Sequence, residues 1–201
     1  MRIKYTSYFK SLCGISGIAV CFSLIAAGCD KKIGSDSSDK GKYSSCKSDQ
    51  PDINAKDEDG TTTLHNAALE NDIEKVKSLL SDPCIKVNEK NKYGFTPLSV
   101  AASQGHLNVI EALLQHKNIE VNQKDNNGFT PLHQASILGY IKVVEKLLEH
   151  EGIEVNQKNN RNYTDLHMAI YKGHVEVVKA LLQHKNIEVN QKDNNGFTPL
   201  H

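Results

Sequence analysis

The sequence predicts an all-α solenoid of short helix-turn-helix units, preceded by a signal helix and a disordered linker. A leucine recurs every 34 residues, at Leu64, Leu98, Leu132, Leu166 and Leu200. A stretch of 21 residues is repeated without change at 113–133 and 181–201. Between the leucines, apolar residues recur at helical spacing. Because one short helix pair cannot bury its apolar face alone, several pairs must stack.

The N-terminal segment is typical of a signal peptide. Residues 1–10 are cationic, and residues 11–28 are apolar with interspersed glycine and serine. The competing interpretation is a retained membrane-spanning helix, which requires about 20 apolar residues and barely fits here. The sequence therefore predicts residues 1–28 as a signal peptide for export.

The end of this segment, Ala-Gly-Cys at residues 27–29, resembles a bacterial lipobox. In that family a diacylglyceryl group is joined to the cysteine thiol, the preceding peptide is cut and the new amino terminus is acylated. The resemblance implies a lipid anchor at Cys29. Each buried methylene contributes only about 0.8 kcal/mol, so durable anchoring needs two or three acyl chains. Ala26 stands where the family usually has leucine, and plain cleavage or an uncleaved anchor are the alternatives.

Residues 29–50 are predicted to be a flexible linker. They consist mainly of serine, lysine, aspartate and glycine, and so bury too little apolar surface to offset the entropy of ordering. About 21 residues of such a chain have a root-mean-square reach of ~25 Å. The linker could therefore hold a folded domain clear of a membrane surface.

Charge argues against a nucleic-acid partner. The chain has 24 basic and 24 acidic residues, and the charged residues of the first 29 (Arg2, Lys4, Lys10) are all basic. The rest of the chain is therefore slightly acidic. Nucleic-acid-binding proteins instead carry a basic field that neutralises phosphates.

The third unit illustrates how each unit is built. Residues 125–128, Asp-Asn-Asn-Gly, are typical of a turn. Thr130 can cap a helix, and Pro131 fits the first helical position, where its missing N–H would be unpaired anyway. Gly139 ends this first helix. The second helix is predicted to present an apolar stripe of Ile141, Val144, Leu147 and Leu148.

The order of turn, Thr-Pro-Leu-His, small-residue helix, Gly-His, apolar helix and Val-Asn step resembles the ankyrin repeat. The resemblance covers residues 51–201, about four full units and the start of a fifth. Ser99 replaces histidine in the second unit, and Asn162 and Asp165 replace glycine and proline in the fourth. We expect none of these departures to remove a core position. Because the fifth unit has only its opening, we also expect an uncovered apolar face on the fourth unit and a parent array that continues.

The residues that could carry chemistry follow the repeat. All nine histidines occupy three repeat slots, so copying explains them without an active site. The resemblance implies that the histidine of Thr-Pro-Leu-His forms hydrogen bonds between neighbouring units. No phosphate-binding loop, zinc spacing or nucleophile motif is present. The five cysteines do not form a recognisable disulfide framework, and we expect neither a bridge nor a metal site at Cys46 and Cys84.

The ankyrin resemblance implies that a partner protein contacts the turn tips and the exposed side of the first helices. The residues at those positions are Tyr93, Phe95, Asn126, Asn127, Phe129, Ile137, Leu138, Arg161, Tyr163, Tyr171 and Lys172. The aromatic residues recur at the repeat period, and they either anchor a partner or pack on their own turns. Ile137 and Leu138 are two adjacent apolar side chains, a feature that favours contact with a partner.

The sequence therefore predicts a non-enzymatic, protein-binding scaffold tethered to a bacterial membrane through Cys29. It predicts no cofactor, no small-molecule substrate and no nucleic-acid partner. Two alternatives remain. The chain could be a secreted, host-directed ankyrin effector, or the repeat part of a longer enzyme or toxin.

Overall fold

The computed structural model describes residues 52–201; the predicted signal peptide, Cys29 and the predicted linker lie outside the described residues. The described part contains eight helices and an isolated bridge between Lys56 and Thr62. In chain order the helices are α1 (Thr63–Glu70), α2 (Ile73–Leu80), α3 (Pro97–Gln104), α4 (Leu107–Leu114), α5 (Pro131–Leu138), α6 (Ile141–Leu148), α7 (Asp165–Lys172) and α8 (Val175–Gln183). These helices form four consecutive pairs, which confirms the predicted all-α repeat fold.

A threonine and a histidine fix the start of most first helices. In α5, the Thr130 hydroxyl accepts a hydrogen bond from the backbone N–H of His133, and the Thr130 N–H donates to His133 Nδ1 at 3.3 Å. Pro131 occupies the first turn, as predicted. The histidine thus takes the place that glutamate has in a common capping box. Its role in the cap had not been predicted from the sequence.

Glycine ends the first helices of units two to four, and in units two and three there are two reasons for it. Gly139 adopts the left-handed conformation with φ of +75°, which side chains disfavour. A Cβ atom there would also lie 2.6 Å from the ring of His174 in the next unit. The position therefore allows the backbone to turn and neighbouring units to approach closely.

The four units stack in chain order. Each first helix packs against the next first helix, and each second helix packs against the next second helix. The repeating leucines Leu64, Leu98, Leu132 and Leu166 are fully buried along the centre of this stack. A buried leucine side chain contributes roughly 1.5–3 kcal/mol. The regular spacing of one residue type thus produces a continuous core.

The buried stripe of the second helices differs from the prediction. Val143 of α6 is buried, whereas the predicted Ile141 and Leu148 are only half-buried. Val143 was missed because a helix inside a stack has neighbours on two sides, and its buried face is wider than one stripe. The equivalent of Val143 in α2 is Lys75, which is exposed. No described unit precedes α2, so a charged residue is tolerated there.

The fourth unit exposes its outer face, as expected. Val175 is 60% exposed and Leu182 is 48% exposed, whereas their equivalents in α6 are half-buried. Among the described residues no complete unit follows α8. The difference between the two helices therefore comes from the number of neighbours, since the apolar residue types are similar.

Asparagine side chains connect the loops that follow the second helices. Asn122 Nδ2 donates to the Gly152 carbonyl at 2.7 Å, and its Oδ1 accepts from the Glu154 N–H at 3.0 Å. The equivalent residues Asn54, Asn88 and Asn156 make the same two contacts, each with the following unit. Each asparagine thereby satisfies one donor and one acceptor of its neighbour's backbone.

Candidate protein-binding surface

An aspartate or asparagine side chain holds each turn tip. Asp125 Oδ1 accepts from the N–H groups of Asn127 at 2.8 Å and Phe129 at 2.9 Å. Such bonds are typical of Asx turns. The equivalent acceptors in the other turns are Asp57, Asn91, Asn159 and Asp193. All five tips are therefore held in the same way.

Neighbouring tips are also bonded to one another. The Asn126 N–H donates to the Tyr93 carbonyl and the Asn160 N–H donates to the Asn127 carbonyl, both at 3.1 Å. Asn126 Nδ2 additionally donates to the Lys92 carbonyl at 2.8 Å. We call this connected row of tips, from Asp59 to Asn160, the tip ribbon. The predicted binding residue Asn126 is exposed but also has this structural role.

The aromatic residues of the tips pack partly on their own units. Phe129 meets the edge of His133 with ring centroids 5.8 Å apart, and Tyr163 meets His167 at 5.7 Å. Tyr93, Phe95, Phe129 and Tyr163 are all half-buried. The structure thus supports packing on the unit itself, while leaving part of each ring open to solvent.

Three of the five exposed members of the predicted set belong to the fourth unit, and the other two, Asn126 and Asn127, belong to the third. Tyr171 is 82% exposed at the end of α7, and Lys172 Nζ lies 5.5 Å from the centre of its ring. Arg161 and Asn127 are exposed on the tips. Ile137, the equivalent of Tyr171 in the third unit, is half-buried, as is Leu138. These two residues are therefore less available to a partner than the sequence suggested.

One surface residue was missed from the sequence. Tyr140 is 37% exposed and its ring covers Gly105 of the preceding unit. It stands where two other units have His106 and His174. The imidazoles at these positions donate from Nε2 to carbonyls of the preceding unit, those of Leu69 and Ile137, both at 3.1 Å. The sequence could have indicated this residue, because a tyrosine stands at a repeat position where two other units have histidine.

The buried histidines join successive units. Nε2 of His65, His133 and His167 contacts the carbonyls of Phe95, Tyr163 and Phe197, at 2.9, 3.1 and 3.2 Å. Because a carbonyl only accepts, each Nε2 carries the proton and each Nδ1 accepts from the threonine cap. Burial lowers the pKa of His65, and it lowers the pKa of His133 to about 4. These histidines thus have the inter-unit role that the resemblance implied.

Two buried polar side chains, one in the fourth unit and one in the third, have no hydrogen bond. Asp165 is fully buried, neither of its carboxylate oxygens has a hydrogen bond, and burial raises its pKa well above the usual range. The Ser136 hydroxyl in α5 is also buried without a hydrogen bond. Asp165 replaces the proline of the repeat. This substitution, expected to leave the core unaffected, places an ionisable group in it.

The expectation for Cys84 was wrong, because Cys84 is disulfide-bonded. The sequence offered no recognisable spacing for a bridge, and pairing depends on distances that only a fold provides. Within residues 52–201, no group of three histidine, cysteine, aspartate or glutamate residues is placed to hold a metal ion. None of the helices in that range combines the length and apolar character needed to cross a membrane.

Comparison with known families agrees with the geometry. The profile of the family described as Ankyrin repeats (3 copies) matches residues 20–125, 64–159 and 151–201. The comparison with curated proteins finds no match. The matched segments cover most of the chain and contain all four helix pairs, so the chain belongs to the ankyrin-repeat family.

Proposed function

We propose that this chain is a protein-binding scaffold held at a bacterial membrane by a lipid on Cys29. Ankyrin repeats are scaffolds for protein–protein interaction and are generally not enzymes. The observation that carries the binding part is the tip ribbon, whose backbone bonds run from unit to unit. A surface fixed in this way loses little conformational entropy when a partner binds.

The chemistry of the surface changes along the array. The first unit presents the exposed acidic residues Glu58 and Glu70. The fourth unit presents Arg161, Tyr171 and Lys172 in the equivalent region. Aromatic residues and arginine are enriched in the contacts that carry most of the binding energy. We therefore assign the principal contact to the fourth unit and expect the partner to present acidic and apolar groups there.

The membrane part of the proposal is supported by the order of sequence features. A cationic and then apolar segment ends in Ala-Gly-Cys, and the polar residues 30–50 separate that cysteine from the repeats. The partner would accordingly be sought at the cell envelope. A soluble, unacylated mature chain would instead favour the secreted alternative.

The anchor is tested by the intact mass of the mature protein from bacterial membranes, beside a Cys29→Ser variant. We expect the wild-type chain to begin at Cys29 with added acyl mass and the variant to lack that mass. A wild-type chain without acyl mass would overturn the anchor.

The binding surface is tested by a photocrosslinking amino acid placed at Asn127 on the tip ribbon. The matched control is the same amino acid at Lys142, an exposed position on the second helix α6. We expect one defined protein adduct from position 127 and none from position 142. Equal crosslinking from both positions would contradict binding through the tips.

A further inference from the structure

Cys84 differs from its equivalents in the other units. It is disulfide-bonded, and it is the only cysteine within residues 52–201. The residues at the same position of the following three units are Asn118, Gly152 and Asn186. The cysteine therefore belongs to the first unit alone, and repeat copying does not explain it.

The backbone around Cys84 is held in place from two directions. The Cys84 N–H donates to Asp82 Oδ1 at 2.8 Å. Asn54 Nδ2 donates to the Cys84 carbonyl at 2.9 Å, and Asn54 Oδ1 accepts from the Lys86 N–H at 2.8 Å. The segment that leads into the first unit is thus bonded directly to the loop that carries Cys84.

Of the remaining cysteines, Cys46 is the nearest to Asn54 along the sequence. It precedes Asn54 by eight residues, and an extended chain of that length spans up to about 28 Å. Since Asn54 contacts the Cys84 backbone, the Cys46 side chain needs only part of that reach. Cys13 and Cys21 lie in the predicted signal peptide, and Cys29 is the proposed site of lipid attachment.

We propose that Cys46 Sγ and Cys84 Sγ form a disulfide that fastens the linker to the first unit. The inference rests on the proposed function, because export removes Cys13 and Cys21, and lipidation occupies the thiol of Cys29. The two thiols lose two protons and two electrons as the S–S bond forms. A thiol–disulfide oxidoreductase outside the cytoplasm accepts the electrons, and its own disulfide is reduced to two thiols.

The bond would close a loop that contains both α1 and α2. Within residues 52–201 this first pair packs against a complete unit on one side only, so it has fewer stabilising contacts there than an internal pair. A disulfide restricts the unfolded chain and so favours the folded unit. It would also limit the free tether to the residues between Cys29 and Cys46.

The test is peptide mapping of the exported wild-type protein without reduction, after free thiols are alkylated. We expect one linked peptide pair that contains Cys46 and Cys84 and that separates on reduction. Cys84 in a Cys46→Ser variant should become alkylated. Reduction should lower the melting temperature of the wild type by roughly 5–10 °C and leave that of a Cys46→Ser, Cys84→Ser double variant unchanged.

Three mapping results would overturn the inference: an alkylated Cys84 in the wild type, a Cys84–Cys84 pair between two copies, or a Cys29–Cys84 pair. Intact mass keeps this result separate from the proposed anchor. If the Cys46–Cys84 pair forms but Cys29 carries no acyl mass, the anchor fails and the disulfide stands. If the acyl mass is present and Cys84 is alkylated, the disulfide fails and the anchor stands.

Discussion

His133 Nδ1 lies 3.4 Å from Asp165 Oδ1, and both side chains are fully buried between the third and fourth units. Loss of water lowers the pKa of His133 to about 4 and raises that of Asp165 well above its usual range. His133 is therefore neutral near pH 7, and burial favours the protonated form of Asp165. Units two and three have Pro97 and Pro131 at the position of Asp165. This junction differs from the others in holding a buried ionisable pair.

Replacing the buried carboxyl should stabilise the array. Asp165→Pro removes two oxygens without hydrogen bonds, each worth about 1–3 kcal/mol when left unpaired, and restricts the unfolded chain by a further ~0.4–1 kcal/mol. Allowing for incomplete recovery, we expect a gain of about 2 kcal/mol in the free energy of unfolding, measured by urea denaturation. The control Asp165→Asn removes the ionisable group but keeps two polar atoms at the same place. A loss of stability in Asp165→Pro would show that the carboxyl has a structural role.

The two groups of this pair should change the stability of the array with pH in opposite directions. Because the pKa of His133 is about 4 when folded and about 6.5 when unfolded, the unfolded state binds more protons between these values. The contribution of His133 to the free energy of unfolding therefore falls as the pH drops from 6.5 to 4, by an amount on the order of 3 kcal/mol. Asp165 has a raised folded pKa, so its stabilising contribution is lost as the pH rises above its unfolded value.

These two effects can be separated by urea denaturation from pH 4.5 to 7.5. In Asp165→Asn the His133 effect acts without the opposing carboxyl, so we expect stability to rise more steeply with pH than in the wild type. Adding His133→Gln to this variant should flatten the profile, apart from the contributions of His65 and His116, whose pKa values burial lowers, and of Asp125, whose pKa burial raises. Parallel profiles for wild type and Asp165→Asn would contradict the assignment.

The second unit lacks one inter-unit hydrogen bond. Ser99 bonds within its own cap, to Thr96, whereas His65 reaches the Phe95 carbonyl of the next unit at 2.9 Å. We expect Ser99→His to add the equivalent bond to the Phe129 carbonyl and to stabilise the array by about 0.5–1.5 kcal/mol. Thermal denaturation measures the change. Ser99→Ala is the control, and equal stability of the two variants would mean that the imidazole does not reach the carbonyl.

Tyr171 should matter for binding and not for folding. Its side chain is 82% exposed, so Tyr171→Ala should change the free energy of unfolding by less than about 0.5 kcal/mol. If it anchors the partner, the dissociation constant should rise tenfold or more, which corresponds to about 1.4 kcal/mol. Titration calorimetry with the partner identified by crosslinking measures the dissociation constant. Lys179→Ala on α8 serves as the exposed control, and an equal effect of both changes would exclude Tyr171 as an anchor.

Much of the fold could be predicted from the repeat itself. Leu132 is fully buried, Thr130 caps α5 and Pro131 begins it, because these roles follow from spacing and local backbone chemistry. The binding surface was less predictable. Ile137 and Tyr171 occupy the same repeat position, yet one is half-buried and the other largely exposed. Their exposure depends on neighbouring units and on side-chain size, which spacing alone does not give.

By itself, the sequence determined the helix pairs, their caps and the order in which they stack, because these depend on residues a few positions apart and recur in every unit. Only the tertiary structure decided which partners meet across units. The burial of Asp165 against His133, the tip ribbon and the contact between Asn54 and Cys84 each join residues about 30 positions apart. Such contacts depend on how closely neighbouring units approach, and that distance is set by the packing of the whole stack.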